Sequence, residues 1–357
     1  MPMTKLYHSW KKQIRELRPG ERITRIRNFT WLLVGLYQSR SVHQSRIAGK
    51  LPGQAKLTSR TRGLSRLLDN ASIRVREWYR PIASNILQAA AKAGEVRLIV
   101  DGSKVGFGFQ LLMVAVAYRR RAIPIGWTWV KASRGHSTVT KQLALLSYVR
   151  KIVPPKTALL LVGDAEFGEI GLLKQLKEWR WHYVLRQKGR YLVVPFGRRT
   201  AQRLDSFVSR SGELNWMPNC RLTEKHRFRT HVLAYWKPGE KRPWLLATNL
   251  SEPQLVLRTY RRRMWIEEMF ADLKRNGFDL ESTHLRNFLR LSRLTLAVVL
   301  LYVWLLAFGA KVIKNGQRCL VDRNERRDYS LFRIGWNMVE RRLTNGHSLH
   351  ISFKFYI

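Results

Sequence analysis

The chain has 357 residues, room for a catalytic domain plus one or two smaller modules, each with its own core. Its 66 Lys and Arg against 24 Asp and Glu give a formal net charge of +42 and an isoelectric point near 11.3, far more than solubility requires, so the expected partner is a polyanion. A 45% hydrophobic content with 13 Trp and 14 Phe excludes a disordered basic tail, and the two cysteines, Cys220 and Cys319, exclude a disulfide framework or a cysteine-built zinc site and suit a reducing interior.

The opening Met1-Pro2-Met3-Thr4-Lys5-Leu6 has no apolar stretch behind its basic residues, so no secretory signal is expected. Residues 1–90 hold 18 Lys or Arg and 4 acids, and their apolar spacing predicts several short helices broken at Pro19-Gly20 and Leu51-Pro52-Gly53. This is the pattern of a basic helical DNA-binding module. Thr58 or Ser59 is placed to cap a helix carrying Arg60, Arg62 and Arg66, which reads either as a groove-binding helix or as a solvated basic one.

From Val96 the pattern changes. Val96–Val100 predicts a short buried strand ending at Asp101-Gly102-Ser103, followed by strands at Leu111–Tyr118 and Ala122–Val130. A helix is predicted over Ser137–Ile152, an apolar strand over Ala158–Val162 ending at Gly163-Asp164, a helix over Glu169–Trp179 and a strand over Tyr183–Leu185. Three strands, helix, strand, helix, strand is the order of an RNase H-like core, an α/β fold with a mixed sheet flanked by helices. Residues from about 190 to 248 lean towards β structure and read as an insertion within a catalytic domain spanning 91–310; residues 311–357 form a basic C-terminal region. Leu294–Ala310 is a run of 17 uncharged residues between Arg293 and Lys311, the lower limit for a membrane span. The same length suits a helix closing a large core, which is the preferred reading, with no membrane partner expected.

The chemistry is legible in the acids. Between Val96 and Gly163 stand eleven Lys or Arg and one carboxylate, Asp101, at a strand end where open α/β sheets place ligand-binding groups. Asp164 has the same relation to its own strand. In Tyr260–Lys274, helical spacing puts Tyr260, Arg263, Glu267 and Lys274 within about 60° of one another, with Ile266, Met269, Phe270 and Leu273 on a separate apolar face. Glu268 and Asp272 fall elsewhere, so Glu267 is the carboxylate selected. Carboxylates are hard oxygen ligands for two Mg²⁺ or Mn²⁺ ions, and Arg and Lys beside them hold phosphates in line. No Gly-rich phosphate loop suggests an NTPase.

Tyr260, Arg263, Glu267 and Lys274 match all four positions of the Y-x2-R-x3-E-x6-K signature, and the chain resembles the DDE transposases of the bacterial insertion sequence 4 family over roughly residues 95–310. Asp101, in Ile99-Val100-Asp101-Gly102-Ser103, and Asp164, in Val162-Gly163-Asp164-Ala165-Glu166-Phe167-Gly168, look like the family's first and second Asp. The resemblance implies that Asp101, Asp164 and Glu267 form a metal-binding catalytic triad, with Mg²⁺ or Mn²⁺ as cofactor, and that Arg263 and Lys274 contact end phosphates and Tyr260 the terminal nucleotide region. It makes 190–248 the family's β-rich insertion, with Trp244 resembling the tryptophan that holds a flipped base; an ordinary strand-core position is the other reading of Trp244. It also implies binding of double-stranded DNA at terminal inverted repeats, cleavage and strand transfer by a homodimer on DNA, in the bacterial cytoplasm at the nucleoid. The chain departs from the family at Ala165, where members often carry Arg. A nuclease without strand transfer and a non-catalytic DNA-binding protein are the remaining alternatives.

Overall fold

The computed structural model describes residues 2–106, 108–131, 136–223 and 225–356. Five helices come first: α1 (Pro2–Leu17), α2 (Ile23–Ser39), α3 (Gln44–Gly49), α4 (Leu57–Asp69) and α5 (Val75–Lys92). Two of the four breaks fall at the Pro-Gly signals, and the other two come at residues 40–43 and 70–74. The expected cap of α4 is corrected: the backbone N–H of Arg60 already bonds the carbonyl of Lys56 at 3.1 Å, so Thr58 and Ser59 lie inside the first turn and Lys56 stands at the cap without a side-chain bond.

A meander follows, β1 (Val96–Val105), β2 (Phe109–Tyr118) and β3 (Arg121–Lys131), each antiparallel to the one before. Helix α6 (Val139–Ile152), capped by the Thr138 hydroxyl accepting from the N–H of Lys141, leads to β4 (Leu159–Gly163), which lies parallel to β1. Helix α7 (Ile170–Glu178) leads to β5 (His182–Arg186), parallel to β4. Strands β6 (Leu192–Val194), β7 (Gln202–Arg203), β8 (Leu214–Leu222), β9 (Phe228–Tyr235) and β10 (Trp244–Thr248) then extend the same sheet, β10 pairing antiparallel with β5. The order is β3-β2-β1-β4-β5-β10-β9-β8-β6-β7, a mixed sheet. Helices α8 (Pro253–Arg261), α9 (Met264–Leu273), α10 (Phe288–Lys314) and α11 (Leu331–Thr344) complete the chain.

The apolar run at 294–310 is the middle of α10. It is long and apolar enough to cross a bilayer, yet 89% of its most apolar window is buried here, against β3, α2, α4, α5, α9 and α11. Two glycines let α11 approach it: a Cβ at Gly309 would lie 2.1 Å from the carbonyl oxygen of Leu331, and one at Gly335 1.9 Å from that of Leu305. Helix α10 therefore acts as a core element, on which one continuous apolar cluster is built, from Trp10, Phe29 and Trp78 of the N-terminal helices to Trp304 and Phe332. Beyond α11 the described residues take up no regular helix or strand but bury Leu349, Ile351 and Phe355, and the Ser9 hydroxyl donates to the Leu349 carbonyl at 2.8 Å. A second, smaller cluster lies under α8, where Leu160, Val162, Val184 and Leu246 meet Trp244, Val256 and Tyr260. Alternation along β4 divides the clusters, since Leu159 and Leu161 belong to the first and Leu160 and Val162 to the second.

Candidate active site

Strands β1 and β4 are adjacent and parallel, and their ladder ends at the pair Val100–Gly163. The next residue on each is an aspartate, so Asp101 and Asp164 stand side by side where the backbone pairing stops. The structure departs from the expectation that β1 ends at Asp101. The strand continues to Val105 because β2 pairs antiparallel with eight of its residues, Leu98 to Val105, with Met113 opposite Asp101. Asp101 is buried, with its Oδ1 accepting from the N–H of Gly102 at 2.8 Å; Asp164 is half-buried, with its Oδ1 accepting from the N–H of Glu166 at 2.9 Å.

The third carboxylate comes from α9. The expected single helix from Tyr260 to Lys274 is in fact two, α8 and α9, joined at Arg262-Arg263. There the backbone keeps turning but tightens: Arg263 N–H bonds the carbonyl of Tyr260 at 2.9 Å and Ile266 N–H that of Arg263 at 3.2 Å, both three residues apart. Arg263 is directed at the aspartates by this junction. Its Nη1 lies 3.5 Å from Asp101 Oδ2, and its Nη2 bonds the Glu267 carboxylate one turn on. Lys274 closes the helix and ties the rim together, donating to the Lys104 carbonyl at 2.8 Å and to Glu281 Oε1 at 2.6 Å. Asp101, Asp164, Arg263, Glu267 and Lys274 thus line one cleft of about 510 Å³. Ser103, Arg275 and Glu281 line it too. Arg275 and Glu281 fall outside the signature spacing, and only their closeness to Lys274 in the chain hints at them.

Two residues expected to contact DNA are buried and are not part of the cleft lining. Tyr260 and Trp244 are 3% and 7% exposed, packed edge to face with ring centroids 5.0 Å apart inside the cluster under α8. Lys237 covers Trp244 from outside, 5.4 Å from its ring. The strand-core reading of Trp244 therefore describes its place, because β10 is buried on both faces. Arg60, Arg62 and Arg66 sit on α4, away from the cleft lining; Arg62 and Arg66 are exposed, and Arg60 is turned back to the carbonyl of Leu51.

Burial and the neighbouring Asp164 push Asp101 up to about 7, against the Arg263 guanidinium and the Gly102 N–H, which pull it down; Glu267 adds a smaller push upward. Burial also raises Asp164. Among the described residues no three metal-binding side chains already stand together, because Arg263 lies between Asp101 and Glu267. The donor set nonetheless fits a hard divalent cation: every donor is a carboxylate oxygen, and crowding of negative charge raises the Asp101 proton affinity, a repulsion that a cation relieves.

Fold and cleft describe an α/β protein with a carboxylate centre set in a basic rim. Residues 92–304 match the model of the family described as the transposase DDE domain, and the chain belongs to that family. Among solved structures, one that it resembles is described as the cryo-EM structure of the piggyBac transposase synaptic complex with hairpin DNA, at 12% identity and a TM-score of 0.41, over 99% of this chain and 84% of that one. Among curated proteins none matches.

Proposed function

We propose that the chain is a cut-and-paste DNA transposase of the insertion sequence 4 type, which binds double-stranded DNA at the terminal inverted repeats, cleaves it there and joins the freed 3′-hydroxyls to target DNA. The observation that carries this reading is the convergence of Asp101 and Asp164, from adjacent parallel strands, with Arg263 and Glu267 in one basic-rimmed cleft. The order β3-β2-β1-β4-β5, three antiparallel strands and then two parallel ones, supports an RNase H-like core. On this reading residues 1–90 are the DNA-binding module, 91–310 the catalytic domain with 190–248 as its β-rich insertion, and 311–357 a basic C-terminal region.

Asp101, Asp164 and Glu267 would hold Mg²⁺ or Mn²⁺, with two ions as the expected number; when bound, the ions activate the attacking water or 3′-hydroxyl and stabilise the leaving oxygen. The remaining steps belong to the chain. Arg263 neutralises the carboxylates before DNA arrives and turns to a phosphate oxygen when it does, which frees Asp101 and Glu267. Lys274 and Arg275 on the rim hold neighbouring phosphates, fixing the scissile bond against the aspartates. Tyr260 and Trp244 support Arg263 from behind, since direct base contact would require their packed pair to open. Two ends must be cut and joined in concert, so a homodimer on DNA is the working form, in the bacterial cytoplasm at the nucleoid.

The test is cleavage of a labelled duplex carrying the element's terminal repeat, with Mg²⁺ or Mn²⁺, by the native chain and by Glu267→Gln. End-specific nicking and joining that disappears in the variant while DNA binding persists is the expected result. Nicking without joining favours a plain nuclease, and binding with no cleavage by either protein favours a non-catalytic DNA-binding protein.

A further inference from the structure

One buried carboxylate beside the centre has no part in that mechanism. Glu166 follows Asp164 by two residues, and its side chain is 6% exposed. Its Oε1 accepts from the backbone N–H of Ser137 at 2.6 Å and from the Ser137 hydroxyl, while its Oε2 accepts from Gln110 Nε2 at 2.9 Å, with His136 Nδ1 at 3.5 Å. Its backbone takes part as well: the N–H donates to Asp164 Oδ1 at 2.9 Å, and the carbonyl accepts from Gln142 Nε2 at 3.2 Å. Glu166 therefore joins three places, the turn that carries Asp164, the start of α6 and the side chain of Gln110 on β2.

Gln110 reaches it by crossing directly over Gly102. A Cβ at position 102 would lie 2.1 Å from Gln110 Nε2, so the glycine after Asp101 is what leaves the path open. The β1–β4 ladder ends at the pair Val100–Gly163, one residue short of both aspartates. The chain Gly102, Gln110, Glu166, Asp164 spans the gap where that ladder ends.

We propose that Glu166 is a positioning residue: through Gln110 and the Asp164 turn it sets the separation of Asp101 and Asp164 and so prepares them for a divalent cation. The inference rests on the reading of these two aspartates as metal ligands. It needs the hydrogen-bond geometry of Glu166 and not its charge. The Oε1 of Gln110 is buried without a partner, so an amide at position 166 is satisfied if Gln110 turns over to accept from it, with Ser137 still donating to the amide oxygen.

The test is Mn²⁺ binding by the full-length protein without DNA, read from the electron paramagnetic resonance of the free ion, for the native chain, Asp164→Asn, Glu166→Ala and Glu166→Gln. Circular dichroism checks that each variant is folded. The expected result is that Asp164→Asn weakens binding, that Glu166→Ala weakens it roughly 10–100-fold, as loss of a ligand's hydrogen-bonded support does, and that Glu166→Gln stays within a few-fold of the native chain. Native affinity in Glu166→Ala overturns the inference while leaving the metal pair intact. Glu166→Gln as weak as Glu166→Ala also overturns it, because charge would then be what matters. Native affinity in Asp164→Asn overturns the metal-pair reading and the inference with it. Should Glu166→Ala not fold, Gln110→Met, which keeps the volume but cannot donate to Glu166, is read by the same outcomes.

Discussion

Helix α9 carries an arginine–carboxylate cluster on each of two sides, and the two differ in a way that separates a site from a strut. On one side Arg263 meets Asp101 and Glu267; on the other Arg121, from the first residue of β3, bonds Asp272 Oδ2 at 2.8 Å and lies 3.4 Å from Glu268. Burial raises a carboxyl in both, Asp101 to about 7 and Asp272 to about 6. Yet the Asp272 side chain is 3% exposed and is not part of the lining of the cleft, whereas the Arg263 cluster faces that cleft of about 510 Å³ and has a further carboxylate, Asp164, beside it. A buried ion pair alone is thus no sign of chemistry. Access and an excess of like charge are what set the first cluster apart.

The largest effect expected from this contrast is on stability, at the buried Arg121–Asp272 pair. Asp272→Ala takes from Arg121 its buried partner, leaving only the exposed Glu268 at 3.4 Å, and lowers the free energy of unfolding by about 3 kcal/mol in urea titrations. The combined change Arg121→Met with Asp272→Leu recovers most of that loss. If Asp272→Ala instead abolished cleavage in a protein as stable as the native one, the two clusters would not differ as described.

A smaller effect concerns pH. Asp101 binds its proton more tightly in the folded chain than at its ordinary value of 3.8, so its contribution to stability is complete below about pH 4 and is lost as pH rises through about 7. Asp272 acts in the same direction up to about 6. Metal-free protein should therefore lose stability from these two groups between pH 4 and 7, and Asp101→Asn should flatten the upper part of that fall, from about 6 to 7, in a series of thermal melts. An unchanged slope would mean that burial and the neighbouring Asp164 do not hold Asp101 above its ordinary value.

The smallest effect expected is at the exposed arginines of α4. With Arg62→Ala and Arg66→Ala combined, duplex binding should weaken evenly across sequences, and the slope of log affinity against log salt should become shallower by about 0.9 for each phosphate that these side chains neutralise in the native chain. A change confined to one sequence would instead make α4 a reader of bases.

How much of this was legible in the sequence follows the range of the interactions. Asp101 stands out because acids are scarce around it, and Asp101 and Asp164 each follow an apolar strand, a local pattern that survives folding. The continuation of β1 past Asp101 was hidden, since it depends on the length of its partner β2. Helical spacing placed Arg263 and Glu267 on one face but cannot register the tightened junction at 262–263, where two three-residue hydrogen bonds replace the regular ladder. Tyr260 belongs to the signature and Trp244 to the resemblance of the insertion, yet both also have the apolar character of core residues, and only the fold, which packs them in one cluster under α8, decides for burial. The pairing of Arg121 with Asp272, 151 residues apart, and the bridge from Gln110 to Glu166 have no local signal.

Glu267 and Glu268 are neighbours in the chain, both exposed, and face the two different clusters. The most direct test of which cluster is the active centre is therefore cleavage of the labelled terminal-repeat duplex with Mn²⁺ by Glu267→Gln and Glu268→Gln side by side with the native chain. Glu267→Gln is expected to lose cutting and joining by on the order of a thousandfold while retaining DNA binding, and Glu268→Gln to cut like the native chain. Equal activity in the two variants would contradict the assignment of Glu267 to the centre.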